Sequence, residues 1–181
     1  MKLPFKYSAH SEVIYTIAKG LHDAGFLKTY LELGCKKGGT FNKIAPLADV
    51  AYAVDVNESY YRKIKGNKNL KWVCATSKDF LENYNKEFKF DMIFIDADHS
   101  YEASLSDFQL SFPLLDDNRI IVMHDTYPPT EAFSKSGLCA DTYKTAEWIR
   151  KNMTNQAEVL TLPFYFGITI IRKTSKHLHW K

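Results

Sequence analysis
Four short stretches of the 181-residue chain place acids or imidazoles where apolar runs end: Glu32-Leu33-Gly34, Asp55, Asp96 and His124-Asp125. Asp55 stands 21 residues beyond Gly34, the spacing at which a carboxylate accepts hydrogen bonds from both hydroxyls of a ribose, so a nucleoside ligand is expected. The turn over 32–40 carries Gly34, Gly38 and Gly39 and not a G-x-G-x-x-G pattern. Glu32, two residues before its first glycine, would repel phosphates, so a cationic ligand suits this turn better than a pyrophosphate. Asp96 and Asp125 end runs that should be neighbours in a sheet, and two close carboxylates repel unless a proton or a metal ion lies between them. The imidazole of His124 in such a site would favour manganese, iron, cobalt or zinc, whereas water would complete a magnesium site. The alternative is structural: both aspartates cap the segments that follow, and His124 pairs locally with a carboxylate.

The elements that must position these residues follow from periodicity. Residues 8–22 place Val13, Ile14, Ile17, Ala18 and Leu21 on one helical face, with Ser8 or Ser11 as N-cap. Strands are expected over 30–33, 50–56, 70–75, 90–96 and 119–123, and helices over 40–47, 58–65, 78–84, 101–112 and 142–153. In the helix over 58–65, Tyr60, Tyr61 and Ile64 would form the inner face. The run over 90–96 has almost no alternation, which suggests burial on both faces. Two last strands, over 158–162 and 166–172, are separated by so few residues that they must pair antiparallel. Strands alternating with helices predict an α/β fold, a doubly wound and mostly parallel Rossmann-like sheet with helices on both faces, over one domain spanning 1–181. Residues 126–141, with Pro128, Pro129 and Gly137, form a loop longer than a connection requires and are expected to rim a substrate site. The end of the chain, 173–181 with His177 and His179, reads as a solvated tail.

Bulk composition removes other classes. Hydrophobic residues at 45% and charged residues at 25% exclude a disordered or fibrous chain. A net charge of +3 without a basic block argues against nucleic acid or an anionic membrane as partner. No apolar run approaches a bilayer span and residues 1–6 lead into a polar stretch, so a cytoplasmic location is expected. Cys35, Cys74 and Cys139 form no C-x-x-C pair and read as reduced thiols.

With these residues in place, the chain resembles the class I S-adenosylmethionine-dependent methyltransferases: Glu32-Leu33-Gly34 with Gly38 looks like their first motif and Asp55 like their second acid. The stretch Phe90-Asp91-Met92-Ile93-Phe94-Ile95-Asp96-Ala97-Asp98-His99-Ser100-Tyr101-Glu102, followed by Ile121-Val122-Met123-His124-Asp125-Thr126, is similar to the small O-methyltransferases of the macrocin and cephalosporin-biosynthesis type. The resemblance implies a seven-stranded sheet whose last strand is antiparallel. It implies a cofactor, S-adenosylmethionine, held by Glu32, Gly34 and Gly38 near the methionine part, by Asp55 at the ribose, by Thr76 and Ser77 at the adenine, and bordered by Asp96. Thr76 and Ser77 are equally suited to be helix N-cap residues. An alcohol needs a general base or a cation to give up its proton at neutral pH. The resemblance supplies both: Asp96 and Asp125 match ligands of a divalent ion, preferably Mg or Mn, and His99 matches a catalytic base. Relatives place a second acid before the position of Asp125 or an amide after it, whereas this chain has His124 and Thr126, which leaves His124 as the candidate third ligand.

The expected function is thus methylation of a hydroxyl on a sugar or small metabolite, with His99 and Asp96 as catalytic residues. Two rivals stand beside it, an NAD(P)-dependent Rossmann oxidoreductase and a non-catalytic cofactor-binding module. The lack of a separate substrate domain makes a homodimer completing the pocket a reasonable hypothesis.

Overall fold
A computed structural model describes residues 10–66, 68–85 and 88–174. Runs that are mostly apolar without polar alternation become interior strands: β1 (Thr29–Leu33), β2 (Val50–Asp55) and β4 (Phe90–Ile95) are buried along nearly their whole length. β3 (Leu70–Cys74) and β6 (Ala157–Leu162) are only partly buried and form the two edges, and β5 (Leu115–His124) and β7 (Ile168–Lys173) complete one sheet in the order β3-β2-β1-β4-β5-β7-β6. The pairs β1–β2, β1–β4, β2–β3 and β4–β5 are parallel, while β7 runs antiparallel to both β5 and β6. The chain winds outward from β1 to β3 and then resumes at β4 on the other side of β1. The strand order therefore reverses between β1 and β4, where such sheets open a crevice at the carboxyl ends of their strands.

Side chains alternate across each strand, so the sheet has two apolar faces. Leu31, Leu33, Ile93 and Ile95 meet Phe80, Phe108 and Ile149 from α3 (Ser77–Asn83), α4 (Tyr101–Ser111) and α5 (Thr142–Asn152). Tyr30, Met92 and Phe94 meet Ile14, Ala18, Phe41 and Ile44 from α1 (His10–Asp23) and α2 (Phe41–Ile44) on the other face. No helix among the described residues is long and apolar enough to cross a membrane.

Several boundaries depart from the sequence expectation for local reasons. The helix over 40–47 stops after Ile44 and continues as the tighter turn Ala45–Leu47, because Pro46 lacks the N–H an α-helix would use. The helix over 58–65 is a 3₁₀ turn, Glu58–Lys63, capped by Asn57, and Tyr61 is 56% exposed instead of facing inward. β5 begins at Leu115, four residues early, and the pairing with β4 slips between Phe90 and Met92. Phe166 and Gly167 precede the last strand in positive-φ geometry. Ser11 lies inside α1 and not at its cap, whereas Ser8, residues 1–6, His177 and His179 lie outside the described residues.

Candidate active site
Gly34 makes the crevice possible. It has φ +83°, and a Cβ there would lie 2.3 Å from the Asp96 carbonyl oxygen and 2.6 Å from Ala97 Cα, so only glycine lets the ends of β1 and β4 touch. Beside it opens a cleft of about 720 Å³ walled by the ends of β1 to β4 and by α4. Asp55 is fixed in its wall by main-chain donors: Lys36 N–H donates to Oδ2 at 2.8 Å and Asn57 N–H to Oδ1 at 2.9 Å. Each oxygen keeps a lone pair for a ligand hydroxyl. Thr76 caps α3, its Oγ1 accepting from Asp79 N–H at 3.0 Å and donating to Asp79 Oδ2 at 2.7 Å, while it and Ser77 line the cleft.

Of the seven residues expected around the cofactor, Gly34, Asp55, Thr76, Ser77 and Asp96 line this cleft. Glu32 and Gly38 are not among its lining residues. Glu32 is 2% exposed beneath the turn, where Tyr30 O–H donates to Oε2 at 2.5 Å and the Phe41 N–H also hydrogen-bonds it. Burial pushes its carboxyl well above the usual range, and the hydrogen bonds from Tyr30 and Phe41 oppose that shift. Gly38 closes the turn through its N–H to Cys35 O at 2.8 Å, with φ +75°.

Asp96 also faces a second, smaller cavity of about 170 Å³, shared with His99, His124 and Asp125. His99 Nδ1 lies 2.6 Å from Leu138 O, and His124 Nε2 lies 2.8 Å from Tyr165 O. A carbonyl only accepts, so each of these nitrogens carries a proton. The remaining nitrogens, His99 Nε2 and His124 Nδ1, both point at Asp96 Oδ1, at 3.3 and 3.4 Å. Asp125, at φ +57°, closes the ring with Oδ2 3.2 Å from His99 Nδ1 and Oδ1 3.6 Å from His124 Nδ1. With the nitrogen opposite each carbonyl facing Asp96, the cluster fits a divalent cation: Asp96, His99 and Asp125 offer atoms within 4.8 Å of one another, and so do Asp96, His124 and His10.

Burial disfavours charge on Asp96, His99 and His124, yet their pairing outweighs it. The His124 imidazole and hydrogen bonds from both rings hold Asp96 well below the usual carboxylate range. The carboxylates of Asp96 and Asp125 push His99 up to about 9, and the same carboxylates raise His124 above its ordinary value. Without a cation, then, His99 is protonated at neutral pH.

The loop over 126–141 lines this cavity through Phe133, Gly137, Leu138 and Cys139. Leu138 O orients His99, Asp141 N–H and Thr142 Oγ1 donate to His99 O, each at 3.0 Å, and Cys139 Sγ lies 3.5 Å from Asp125 Oδ1. Asp98 caps locally, its Oδ1 accepting from Ser100 N–H at 2.8 Å. Sequence reasoning missed His10, whose ring stacks on His124 at 4.2 Å, and the walls Phe133 and Phe166, paired at 5.3 Å. None of these three carries a spacing signal.

Residues 30–126 match a family described as a methyltransferase domain. No curated protein sequence matches the chain. Among solved structures it is similar to the SAH-bound methyltransferase PaMTH1 of Podospora anserina (17% identity, 87% of this chain and 76% of that one, TM-score 0.69). It is similar also to an O-methyltransferase of Bacillus cereus in complex with SAH (14%, 95% and 93%, TM-score 0.68) and to TomG of Streptomyces achromogenes, an O-methyltransferase of tomaymycin synthesis in complex with SAM (15%, 88% and 80%, TM-score 0.67). At these identities the neighbours share the fold. The family match covers more than half of the chain, and the chain belongs to this methyltransferase-domain family.

Proposed function
We propose that this methyltransferase-domain protein moves the methyl group of S-adenosylmethionine to a hydroxyl on a sugar or other small metabolite, assisted by a divalent ion, Mg or Mn, at Asp96, Asp125 and His124. The observation that carries this reading is that Asp96 lines both cavities, so a sulfonium in the larger and a hydroxyl in the smaller would meet at one carboxylate. The SAH and SAM in the neighbouring structures support the cofactor.

S-adenosylmethionine supplies a methyl whose bond to sulfur breaks as the bond to the acceptor oxygen forms, leaving S-adenosylhomocysteine. Asp55 accepts from the ribose hydroxyls and Gly34 lets the chain approach closely. Together they aim the methyl, and alignment supplies much of the rate. Asp96, Asp125 and His124 would hold the divalent ion, which would supply positive charge favouring the ionised acceptor oxygen. His99 Nε2 takes the acceptor proton, with its ring held by Leu138 O. The small cavity and modest net charge favour a small-molecule acceptor over a nucleic acid.

The test is transfer of labelled methyl from S-adenosylmethionine to a panel of hydroxylated sugars and small metabolites, with and without Mn. Labelled product that depends on His99 supports the reading. Transfer that is undiminished in His99→Ala and Asp125→Ala removes the catalytic assignment.

A further inference from the structure
The cofactor cleft holds an acidic side chain that methyl transfer does not use. Asp107 comes from the inward face of α4, is 3% exposed, and lines the cleft beside Ser77, whose hydroxyl hydrogen-bonds its carboxyl. Asp55 marks the ribose end of the cleft. Beyond it the walls are Val56 after β2, Ala75 after β3 and Ala103 on α4, apolar surfaces suited to a flat base, and Ser77 with Asp107 forms a polar group among them. A buried carboxyl spends free energy on desolvation unless it meets a partner, and one serine leaves most of its hydrogen-bonding capacity open.

We propose that Asp107 reads the adenine of the bound cofactor, accepting a hydrogen bond from the exocyclic N6 amine and donating one to N1. The inference rests on the S-adenosylmethionine reading and adds a residue that selects the base. An ionised carboxylate only accepts, whereas a carboxylic acid offers one acceptor and one donor side by side, the complement of N6–H and N1. Burial pushes the Asp107 carboxyl up to about 7; the Ser77 hydroxyl opposes this and the negative charge of Asp98 adds to it. The acid form is therefore available near neutral pH. The other charged groups facing the cleft are Asp55, Asp96 and Lys36 at the strand ends, Lys78 on α3 and Glu102 on α4.

The experiment is calorimetric titration of the purified protein with S-adenosylhomocysteine and with its 1-deaza analogue, in which a C–H replaces adenine N1. At pH 6 the wild type should bind the analogue roughly tenfold more weakly. Affinity for S-adenosylhomocysteine should fall as pH rises from 6 to 8.5, because the ionised carboxylate cannot donate to N1. In Asp107→Asn the amide supplies the same acceptor and donor, so binding persists and the wild-type fall between those pH values is absent. Equal binding of the two ligands by the wild type, or an unchanged pH profile in Asp107→Asn, overturns the inference and leaves the methyltransferase reading intact. No binding of S-adenosylhomocysteine by the wild type overturns both. Should the variant not fold, the comparison of ligands on the wild type decides alone.

Discussion

The two cavities that meet at Asp96 are built differently. The larger is walled by strand ends and tight turns, and its key carboxylate, Asp55, is fixed by two main-chain N–H groups from the turns that follow β1 and β2. The smaller is assembled from α1, the ends of β4 and β5, the loop over 126–141 and the turn before β7, and its centre is a ring of two carboxylates and two imidazoles. The first positions a ligand with rigid backbone. The second balances charge, and that balance depends on which protons or ions are present. Binding of the cofactor should accordingly tolerate changes around the imidazoles, and catalysis should not.

Substitution of the shared residue should break the distinction. Asp96→Asn removes the charge facing both imidazoles and changes both cavities, so turnover is expected to drop by about 10³-fold or more, with weaker metal binding and weaker cofactor binding together. His99→Gln sharpens the distinction instead: kcat should fall about 10²- to 10⁴-fold while affinity for S-adenosylhomocysteine stays within about twofold. The mirror case is Asp55→Ala, for which calorimetry should show a loss of about 10- to 100-fold in S-adenosylhomocysteine affinity with Mn binding unchanged. Gly34→Ala forces a Cβ against the Asp96 carbonyl at a positive φ, and should cost about 1–3 kcal/mol of stability, read by chemical denaturation.

The smallest effect concerns pH. Folding raises the Asp107 carboxyl from 3.8 to about 7, so the folded protein holds a proton that the unfolded chain releases. Wild-type stability should therefore fall as pH rises from about 4 through about 7. Thermal melts of Asp107→Asn should lack that fall and show a gain of a few degrees at pH 8, on the order of 1–2 kcal/mol.

The larger cavity was the more legible half in the sequence for the same structural reason. Gly34, Asp55, Thr76 and Ser77 follow directly on strands whose apolar runs are unmistakable, so their place at the carboxyl edge follows from the fold class. Strand alternation alone does not say whether an acid near a strand end faces the crevice or the layer beneath, and for Glu32 it is Tyr30 and the α2 amide that draw it under the turn. The tyrosines at 60 and 61 have helical spacing, but Asn57 caps a 3₁₀ turn that leaves Tyr61 exposed. His10, Phe133 and Phe166 come from segments far apart in the chain, and only tertiary packing brings them to His124 and His99. Asp107 was hidden inside α4, where no clear apolar stripe tells the buried acid, Asp107, from the exposed one, Glu102.

The most direct test of the account is calorimetric titration of the purified protein with S-adenosylhomocysteine, with and without Mg or Mn, beside an NAD control. Binding of S-adenosylhomocysteine that is weakened in Asp55→Ala, together with Mn binding that is lost in Asp125→Ala but kept in Asp55→Ala, is the result expected of two cavities joined at Asp96. Binding of NAD alone, or of neither nucleotide, would contradict it.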